Sequence, residues 1–355
     1  MGMENGEKLK VKGKLKNDNL QFLIRNFQFA LLSILLVVVF IANLAVDSSS
    51  VNISLKDIWN TFFCGETSQA SQLLYKFRLP KACVAVFVGV SLSVAGLQMQ
   101  TIFRNPLADP YILGVSSGAG LGVALFIMAS FALIEPLRNI GMYVSAWGGS
   151  AFVLILILII SMRVKDMMSV LILGVLFGSG ISAIISILQY FSTDAGVKTY
   201  VIWTMGSIGS VTSDKFLLMS IALTVGLAIS IYSIKPLNAL LLGENYARSM
   251  GVNVSRARNT IFLGTSILTG TATAFCGPIG FIGIAVPHIT RMLFRQADHR
   301  ILMPATMLVG AIIMLFCDIV SQSLIKGITF PINSITALFG IPVIIFVIIT
   351  YNSRR

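Results

Sequence analysis

The sequence predicts an all-α polytopic membrane protein of about ten transmembrane helices, with both termini in the cytoplasm. Of its 355 residues, 56% are hydrophobic and only 11% are charged, whereas a soluble domain carries roughly 25% charged residues. Apolar runs of about 20 residues, the length that crosses a bilayer as a helix, recur along the chain. Basic residues gather in alternate segments between these runs, which predicts the orientation of the spans.

Ten apolar segments are the predicted transmembrane helices, and the eighth is short and rich in glycine and proline. They comprise residues 27–46, 81–102, 111–132, 141–161, 167–191, 214–233, 257–276, 279–294, 301–322 and 333–351. Residues 197–208 and the polar stretch 241–258 are expected to hold short helices that do not cross the membrane. An even number of spans puts both termini on one side, and the positive-inside rule makes that side the cytoplasm. The net charge of +12 follows from this topology and does not indicate nucleic-acid binding.

Residues 1–26 are polar and basic and form a predicted cytoplasmic tail, whereas residues 27–355 form a single transmembrane domain. The tail carries a cluster of lysines, Lys8, Lys10, Lys12, Lys14 and Lys16. This cluster most simply anchors the tail in the cytoplasm, and binding to anionic lipid is the alternative. The first apolar run is long enough to span and lacks the cleavage site typical of a signal peptide, which indicates a retained helix.

The polar stretch reads "LLGENYARSMGVNVSRAR" and interrupts two long apolar runs. Glu244 lies in a predicted first helical turn, and Arg248 follows at the favourable spacing of four residues. Gly251 is typical of a residue that ends a helix, and Asn253 or Ser255 is expected to open a second short helix. Two short helices at an angle would form a rigid cytoplasmic knob that transmits force from a partner. An ordinary polar loop is the alternative.

The chain shows no energy source of its own. Neither a G-x-x-x-x-G-K-[ST] phosphate loop nor an H-E-x-x-H metal motif occurs. Asp318 is the clear case of an ionisable residue at mid-span, and such a residue more often bonds a neighbouring helix than binds an ion. His288 and His299 are separated along the chain and form no ligand pair. The cysteines form no close-spaced ligand motif; they are Cys64, Cys83, Cys276 and Cys317.

Two motifs lie at the beginning and middle of the domain. The first, "RLPKACVAVFVGVSLSVAGLQMQTIFRNPLADPYILGVSSGAGLG", covers residues 78–122 and carries two prolines that break the chain between spans two and three. The glycines that follow give a smooth face for close helix packing. The second motif lies in the polar stretch, where Gly243, Glu244, Ala247 and Gly251 match G-E-x-x-A-x-x-L-G with Met250 in the place of leucine.

Two further motifs lie near the C-terminus. "GPIGFIGIAVPHITR", residues 277–291, matches G-x-I-x-F-V-G-L-V-x-P-H-I-x-R, and its glycines and prolines explain the weak eighth span. "TFPINSITALFGIPVIIFVI", residues 329–348, matches E-L-P-V-G-x-x-T-A-x-x-G-x-P-x-F less completely. Thr329, Asn333 and Gln322 depart from the usual residues near the predicted outer end of the pathway.

Taken together, the four motifs resemble the permease subunits of type II ABC importers for iron-siderophore, haem and cobalamin. The resemblance implies that a segment of about 236–256 holds coupling helices that dock on an ATPase. It assigns this coupling to Gly243, Glu244, Ala247, Arg248 and Gly251. It also implies a set of residues for the pathway, its gate or helix packing: Arg104, Asn105, Pro106, Asp109, Pro110, Gly114, Ser116, Gly118, Gly280, Pro287, His288, Arg291 and Asp318.

The resemblance further implies a homodimer in a bacterial plasma (inner) membrane, with two separate ATPase subunits and an extracytoplasmic substrate-binding protein. ATP and Mg would bind the ATPase, and this chain would bind no cofactor or metal and catalyse no covalent step. An iron-siderophore complex is the expected substrate, with haem and then cobalamin as alternatives. From another class, an ion-coupled secondary transporter is the main rival, and a membrane enzyme or receptor is a third interpretation.

Overall fold

The structure, a computed structural model, describes residues 2–46, 53–64, 68–129, 135–164, 166–325 and 327–352. It does not describe the side chains of residues 2–22, 129, 135–140, 213–214 and 351–352, so the predicted lysine cluster of the tail lies outside the described residues. Apart from an isolated bridge between Ile325 and Ile328, the regular secondary structure of the described chain is helical. Its α-helices are α1 Gly2–Ala45, α2 Leu55–Phe63, α3 Gln69–Leu73, α4 Leu79–Ile102, α5 Val115–Ala129, α6 Glu135–Arg163, α7 Met167–Tyr190, α8 Asp194–Thr204, α9 Ser213–Tyr232, α10 Ile234–Leu241, α11 Glu244–Ser249, α12 Val254–Cys276, α13 Ile282–Phe294, α14 His299–Ser323 and α15 Ile332–Asn352.

Seven helical segments in the described ranges are long and apolar enough to cross a membrane. They are Leu23–Ala45, Gln69–Ile102, Gly141–Arg163, Met167–Tyr190, Lys215–Tyr232, His299–Ser323 and Ile332–Thr350. The other three predicted spans correspond to α5, α12 and α13. Of these, α5 and α13 are apolar but short, and α12 has 23 residues with several threonines and two arginines near its start. The structure therefore confirms an all-helical membrane protein, and the count of ten spans and their orientation stay predictions.

Helices α4 and α14 form the centre of the fold, since 78% and 67% of their apolar windows are buried, against 17–28% for the other five segments. Close approach between them depends on glycine. A side chain at Gly89 would collide with the backbone of Gly310 on α14, and one at Gly96 would collide with the backbone of Gly283 on α13. The outer helices expose leucine, isoleucine and phenylalanine, as expected of surfaces that face lipid.

Two predicted boundaries were wrong. The second span does not begin at residue 81, because the helix runs without interruption from Gln69 to Ile102. A π-helical turn at Leu74–Arg78 precedes Pro80, which lies in the first turn of α4, where proline is tolerated. The second short helix of the polar stretch does not exist either, since Asn253 caps the long helix α12.

The predicted non-spanning helices are observed with shifted limits. The segment predicted at 197–208 is α8, and the short helix that Gly251 ends is α11. A further short helix, α10, precedes α11 directly after the apolar helix α9. The candidate coupling segment thus consists of α10 and α11.

Candidate functional site

The predicted coupling residues lie together on α11 and in its flanking turns. Gly243 precedes the helix with a φ of 117°, a conformation that favours glycine. Ala247 is fully buried. Gly251 follows the helix with a φ of 81°; its N–H donates to Arg248 O, and the Val252 N–H donates to Ala247 O, each at 3.0 Å. These two bonds form a Schellman motif, so the predicted helix end at Gly251 is confirmed.

Glu244 connects α11 to the start of α12. One oxygen of its carboxylate lies 3.3 Å from Arg248 Nη2, at the spacing predicted from the sequence, and the other lies 3.9 Å from Arg258 Nη1. Arg248 is exposed, whereas Arg258 is only 6% exposed. Because Arg258 is buried, this second contact holds α11 against α12.

A chain of polar side chains attaches α10 to the ends of α4 and α14. Asn238 Oδ1 on α10 accepts the backbone N–H of His299 at 2.8 Å, and its Nδ2 donates to the helix-capping Asp298 at 2.6 Å. His299 Nδ1 lies 2.8 Å from the same Oδ1, so Nδ1 carries the ring proton. His299 Nε2 lies 2.9 Å from Thr101 Oγ1 near the end of α4. His299 is 1% exposed, so this network is buried.

The loop after α4 is shaped by the predicted turn residues. The side chains of Asn105 and Asp109 each accept the backbone N–H two residues ahead, at 2.9 and 2.7 Å. A 3-10 turn, Pro110–Leu113, then ends at Gly114, whose φ is 72°. Arg104 begins the loop with a φ of 46°. These turns carry the chain from the end of α4 to the start of α5.

Histidine 288 joins this loop to α13. His288 Nε2 lies 2.7 Å from the carbonyl oxygen of Pro106, so the ring donates to the backbone and serves as a bridge between the first and third motifs. One turn further on, Arg291 donates to the side-chain oxygen of Gln100 on α4. Gln100 in turn donates to the carbonyl of Ile284 at 3.2 Å. In the part of the chain that the structure describes, no three His, Cys, Asp or Glu residues could hold a metal ion.

The glycine-rich start of the third motif is a break between α12 and α13. Gly277 follows α12 with a φ of 75°, and Phe281 precedes α13 with a φ of 69°. The Gly280 N–H donates to the side chain of Asn333 at 3.0 Å. Helix α13 has only 13 residues and contains Pro287. The predicted bend of the eighth span is therefore a non-helical entry of the chain followed by a short helix.

The remaining glycines of the first motif lie on α5. A side chain at Gly118 would collide with the backbone of Gly149 on α6, which agrees with the predicted close packing. Ser116 is half-buried on the same helix.

Asp318 is bonded to its neighbours on three helices. Its carboxylate accepts from Asn43 of α1 at 2.9 Å and from Gln322 of α14 at 2.8 Å, and it lies 3.4 Å from Lys81 Nζ of α4. The residue is 2% exposed. Adjacent to this group, Arg78 donates to the last carbonyls of α1, those of Leu44 and Ala45. These contacts favour the structural interpretation of Asp318 over an ion site.

Three residues that form these side-chain hydrogen bonds were not predicted from the sequence: Asn238, Gln100 and Thr101. Asn238 is the single amide in the apolar run "IKPLNALL" of α10, and that isolation is a usable signal. Gln100 and Thr101 lie near the end of an apolar helix, where polar residues also occur merely because the helix ends. Nothing local in the sequence links these residues to His299 or Arg291.

Comparison with known proteins supports the resemblance described above. A model of the FecCD transport family matches residues 35–350. The chain is 34% identical over 324 residues to the hemin transport system permease protein of Yersinia pestis, covering 91% of this chain and 96% of the relative. It is 34% identical to the vitamin B12 import system permease protein of Escherichia coli O9:H4 (strain HS), covering 81% of this chain and 86% of the relative.

A solved structure is similar over nearly the whole length. It is a chain of a metal-chelate type ABC transporter in an inward-facing conformation, with a TM-score of 0.78 and 30% identity, covering 92% of this chain and 99% of that one. The matched residues include all four motifs, the coupling segment and both ends of α4. The chain therefore belongs to the FecCD transport family and is a non-catalytic, multi-pass membrane permease of the type II ABC importer class.

Proposed function

We propose that two copies of this permease form the pathway of an importer that two ATPase subunits drive through α10 and α11. The observation that carries this proposal is the buried attachment of the segment. Ala247 and the Schellman turn make α11 rigid, and the Asn238–His299–Thr101 bonds fasten α10 to the ends of two core helices. A displacement of the segment would therefore move α4 and α14, whereas a flexible loop would absorb it.

Charge also supports docking at this segment. A groove of about 680 Å³ lies beside it, lined by Glu244, Arg258, Arg104 and Tyr246. In the predicted topology with both termini inside, the groove faces the cytoplasm, where an ATPase subunit would be found. The departure at Met250 keeps an apolar side chain at the position of the family's leucine, and it is 60% exposed, which suits a contact with a partner.

The gate of the pathway is proposed to involve the loop 103–114 and the break before α13. The break before α13 is non-helical backbone within a membrane domain, a feature tolerated only where the backbone is covered by protein or lines a water-filled cavity. The His288–Pro106 bond and the Gly280–Asn333 bond fix the two segments to their neighbours. A change in either bond would alter the pathway without any change in the ATPase.

The proposed substrate is an iron-siderophore complex delivered by an external binding protein. The relatives are named for hemin and for vitamin B12, and the similar structure is named for a metal chelate; haem and cobalamin are accordingly the alternatives. An ATP-driven permease is favoured over an ion-coupled carrier, because the family match concerns ABC permeases and Asp318 is bonded to neighbouring helices.

The test is a co-purification and ATPase assay in liposomes with Glu244→Arg. Reversing this charge places three arginines together and is expected to abolish ATPase association while the permease remains folded. Asp194→Arg is the matched control, because Asp194 is also an exposed first-turn acid of a short helix, α8, on the predicted outer side. Equal ATPase association in the two variants would overturn the docking site. Substrate uptake driven by an ion gradient without ATP would overturn the importer mechanism.

A further inference from the structure

A short helix with an exposed aromatic face, α2, follows α1. It comprises the nine residues Leu55–Phe63, and Ser54 closes its start in a capping box with Asp57. Ile53 and Ile58 are both buried, at the spacing of the hydrophobic staple that fixes the entry of a chain into a helix. Contacts within the chain therefore hold α2 in its helical conformation.

One face of α2 carries large apolar side chains that the protein leaves uncovered. Leu55, Trp59 and Phe63 follow one another at intervals of four residues, so they share one face of the helix. They are 65%, 60% and 71% exposed, whereas Ile58 and Thr61 of the same helix are buried. The rings of Trp59 and Phe63 stack with their centroids 4.2 Å apart. A contiguous apolar patch of this kind indicates a contact with another molecule.

The level of α2 relative to the membrane follows from its contacts with the turn before α4. Tyr75 Oη donates to the carbonyl oxygen of Thr61 at 3.4 Å, and the Tyr75 ring packs edge-on against Phe62. Three residues further on, Arg78 donates to the last two carbonyl groups of α1. Three helical residues advance about 4.5 Å along a helix. The C-terminal half of α2 therefore lies close to the level at which α1 ends, at the membrane boundary.

The surroundings of this face favour lipid as the molecule that covers it. Helix α2 contacts α1, whose exposed apolar side chains include Ile34 and Val38. Tryptophan and tyrosine concentrate where acyl chains meet headgroups, and Tyr75 beside α2 is also exposed. Exposed Lys56 has the long stem with which lysine reaches from apolar surface to a polar layer. A soluble binding protein would leave the face in water between docking events, whereas lipid covers it continuously.

We propose that α2 is an interfacial helix whose Leu55, Trp59 and Phe63 side chains insert into the lipid leaflet at which α1 ends, the outer leaflet in the predicted topology. Helices of this kind bury their apolar face at the boundary between headgroups and acyl chains. Because α2 is bonded to the turn before α4, its insertion would fix the start of this core helix relative to the bilayer. The inference is independent of the transported substrate and of ATPase docking.

The test measures the fluorescence of Trp59 in the full-length permease in phosphatidylcholine nanodiscs, where both membrane faces are accessible to a solute. The emission of Trp59 is the difference between the wild type and Trp59→Phe, so Trp147 and Trp203 remain in place. Phosphatidylcholine brominated near the headgroup end of its acyl chains should quench this emission about twofold more strongly than lipid brominated near the methyl ends. Iodide in the aqueous phase should quench it only weakly.

Phe63→Lys and its matched control Phe63→Leu, each measured against its own Trp59→Phe reference, sharpen the result. The lysine places a charge in the apolar face and should lower quenching of Trp59 by the brominated lipid about twofold, whereas the leucine should retain it.

Strong iodide quenching of wild-type Trp59 without lipid quenching overturns the proposal, and this comparison decides even if the lysine variant does not fold. Equal lipid quenching in Phe63→Lys and Phe63→Leu, both folded, also overturns it. Iodide quenching that a soluble substrate-binding protein relieves would overturn it too, and would assign the face to that protein.

Discussion

Both ends of α4 carry basic residues, but the residues at the two ends have different bonding partners. At its N-terminal end, Arg78 donates to two carbonyl oxygens of α1, at 2.9 and 3.1 Å, and Lys81 lies 3.4 Å from the carboxylate of Asp318. At its C-terminal end, Arg104 and Arg291 border a cavity and have no carboxylate within reach in the described chain. Basic residues near one end are bonded to a carboxylate and to carbonyls, and those near the other are bonded only to neutral groups, Arg291 to the side chain of Gln100 and Arg104 to the carbonyl of Leu240.

This contrast separates a cluster that contains a carboxylate from one that contains only neutral partners. A buried cation with a carboxylate and carbonyl partners holds helices together, and removing one partner exposes the full cost of burying the other. A basic cluster whose partners are all neutral keeps its net positive charge. Proximity to a membrane boundary is common to both clusters, so the bonding partners are what distinguish them.

The largest expected effect comes from breaking the bonded end. Asp318→Ala removes the acceptor of Asn43 and Gln322 and leaves Lys81 without this carboxylate. We expect the free energy of unfolding to fall by about 3–5 kcal/mol, as for one partner of a buried ion pair. Chemical unfolding of the purified protein in detergent measures the change, with the exposed Asp194→Ala as control. A loss below about 1 kcal/mol would show that the cluster does not hold α1, α4 and α14 together.

A smaller effect is expected where the coupling segment is attached. Asn238→Leu removes the acceptor of His299 Nδ1 and the side-chain donor to the capping Asp298, while His299 Nε2 keeps its contact with Thr101. Stability should fall by about 1–3 kcal/mol, the cost of unsatisfied buried polar groups. The ATPase should still bind, because α11 is unchanged. The coupling of ATP hydrolysis to substrate transport should nevertheless decline.

Gln189→Leu near the end of α7 is the control for that experiment, since Gln189 lies outside the coupling segment and no side-chain bond connects it to its neighbours in the described structure. Retained coupling in Asn238→Leu would separate the attachment of α10 from the transmission of force. Loss of ATPase binding in the same variant would indicate instead that the polar network shapes the docking surface.

Short-range sequence patterns predicted the parts of the fold that depend on neighbouring residues in the chain. The apolar segments and the helix end at Gly251 follow from spacing and side-chain type, and the structure contains them; of the two predicted caps, Asn253 and Ser255, the first caps α12. The predicted start of span two was wrong because the helix runs from Gln69 through Pro80. A π-turn allows the helix to continue through that point.

Long-range pairing decided what the sequence could not predict. The start of α12 carries two arginines and looks like a separate polar helix, but Arg258 is buried against Glu244, and the helix continues into the apolar run. His299 and Asn238 are 61 residues apart, and neither residue's neighbours indicate the other. The positive φ values of Arg104 and Arg295 could not be predicted from the sequence either, because glycine or asparagine is usual at such positions.

The smallest expected effect on stability belongs to Glu244, whose partners include an exposed arginine. Glu244→Gln keeps the size of the side chain and removes the charge that faces Arg248 and Arg258. Unfolding should become easier by only about 0.2–1 kcal/mol, as for pairs near the surface, far less than for Asp318→Ala. ATPase association measured on the same sample should weaken clearly, since a docking residue contributes to binding more than to folding. A large loss of stability with normal association would show that Glu244, like Asp318, acts mainly in folding. It would leave α11 without a residue specific to coupling.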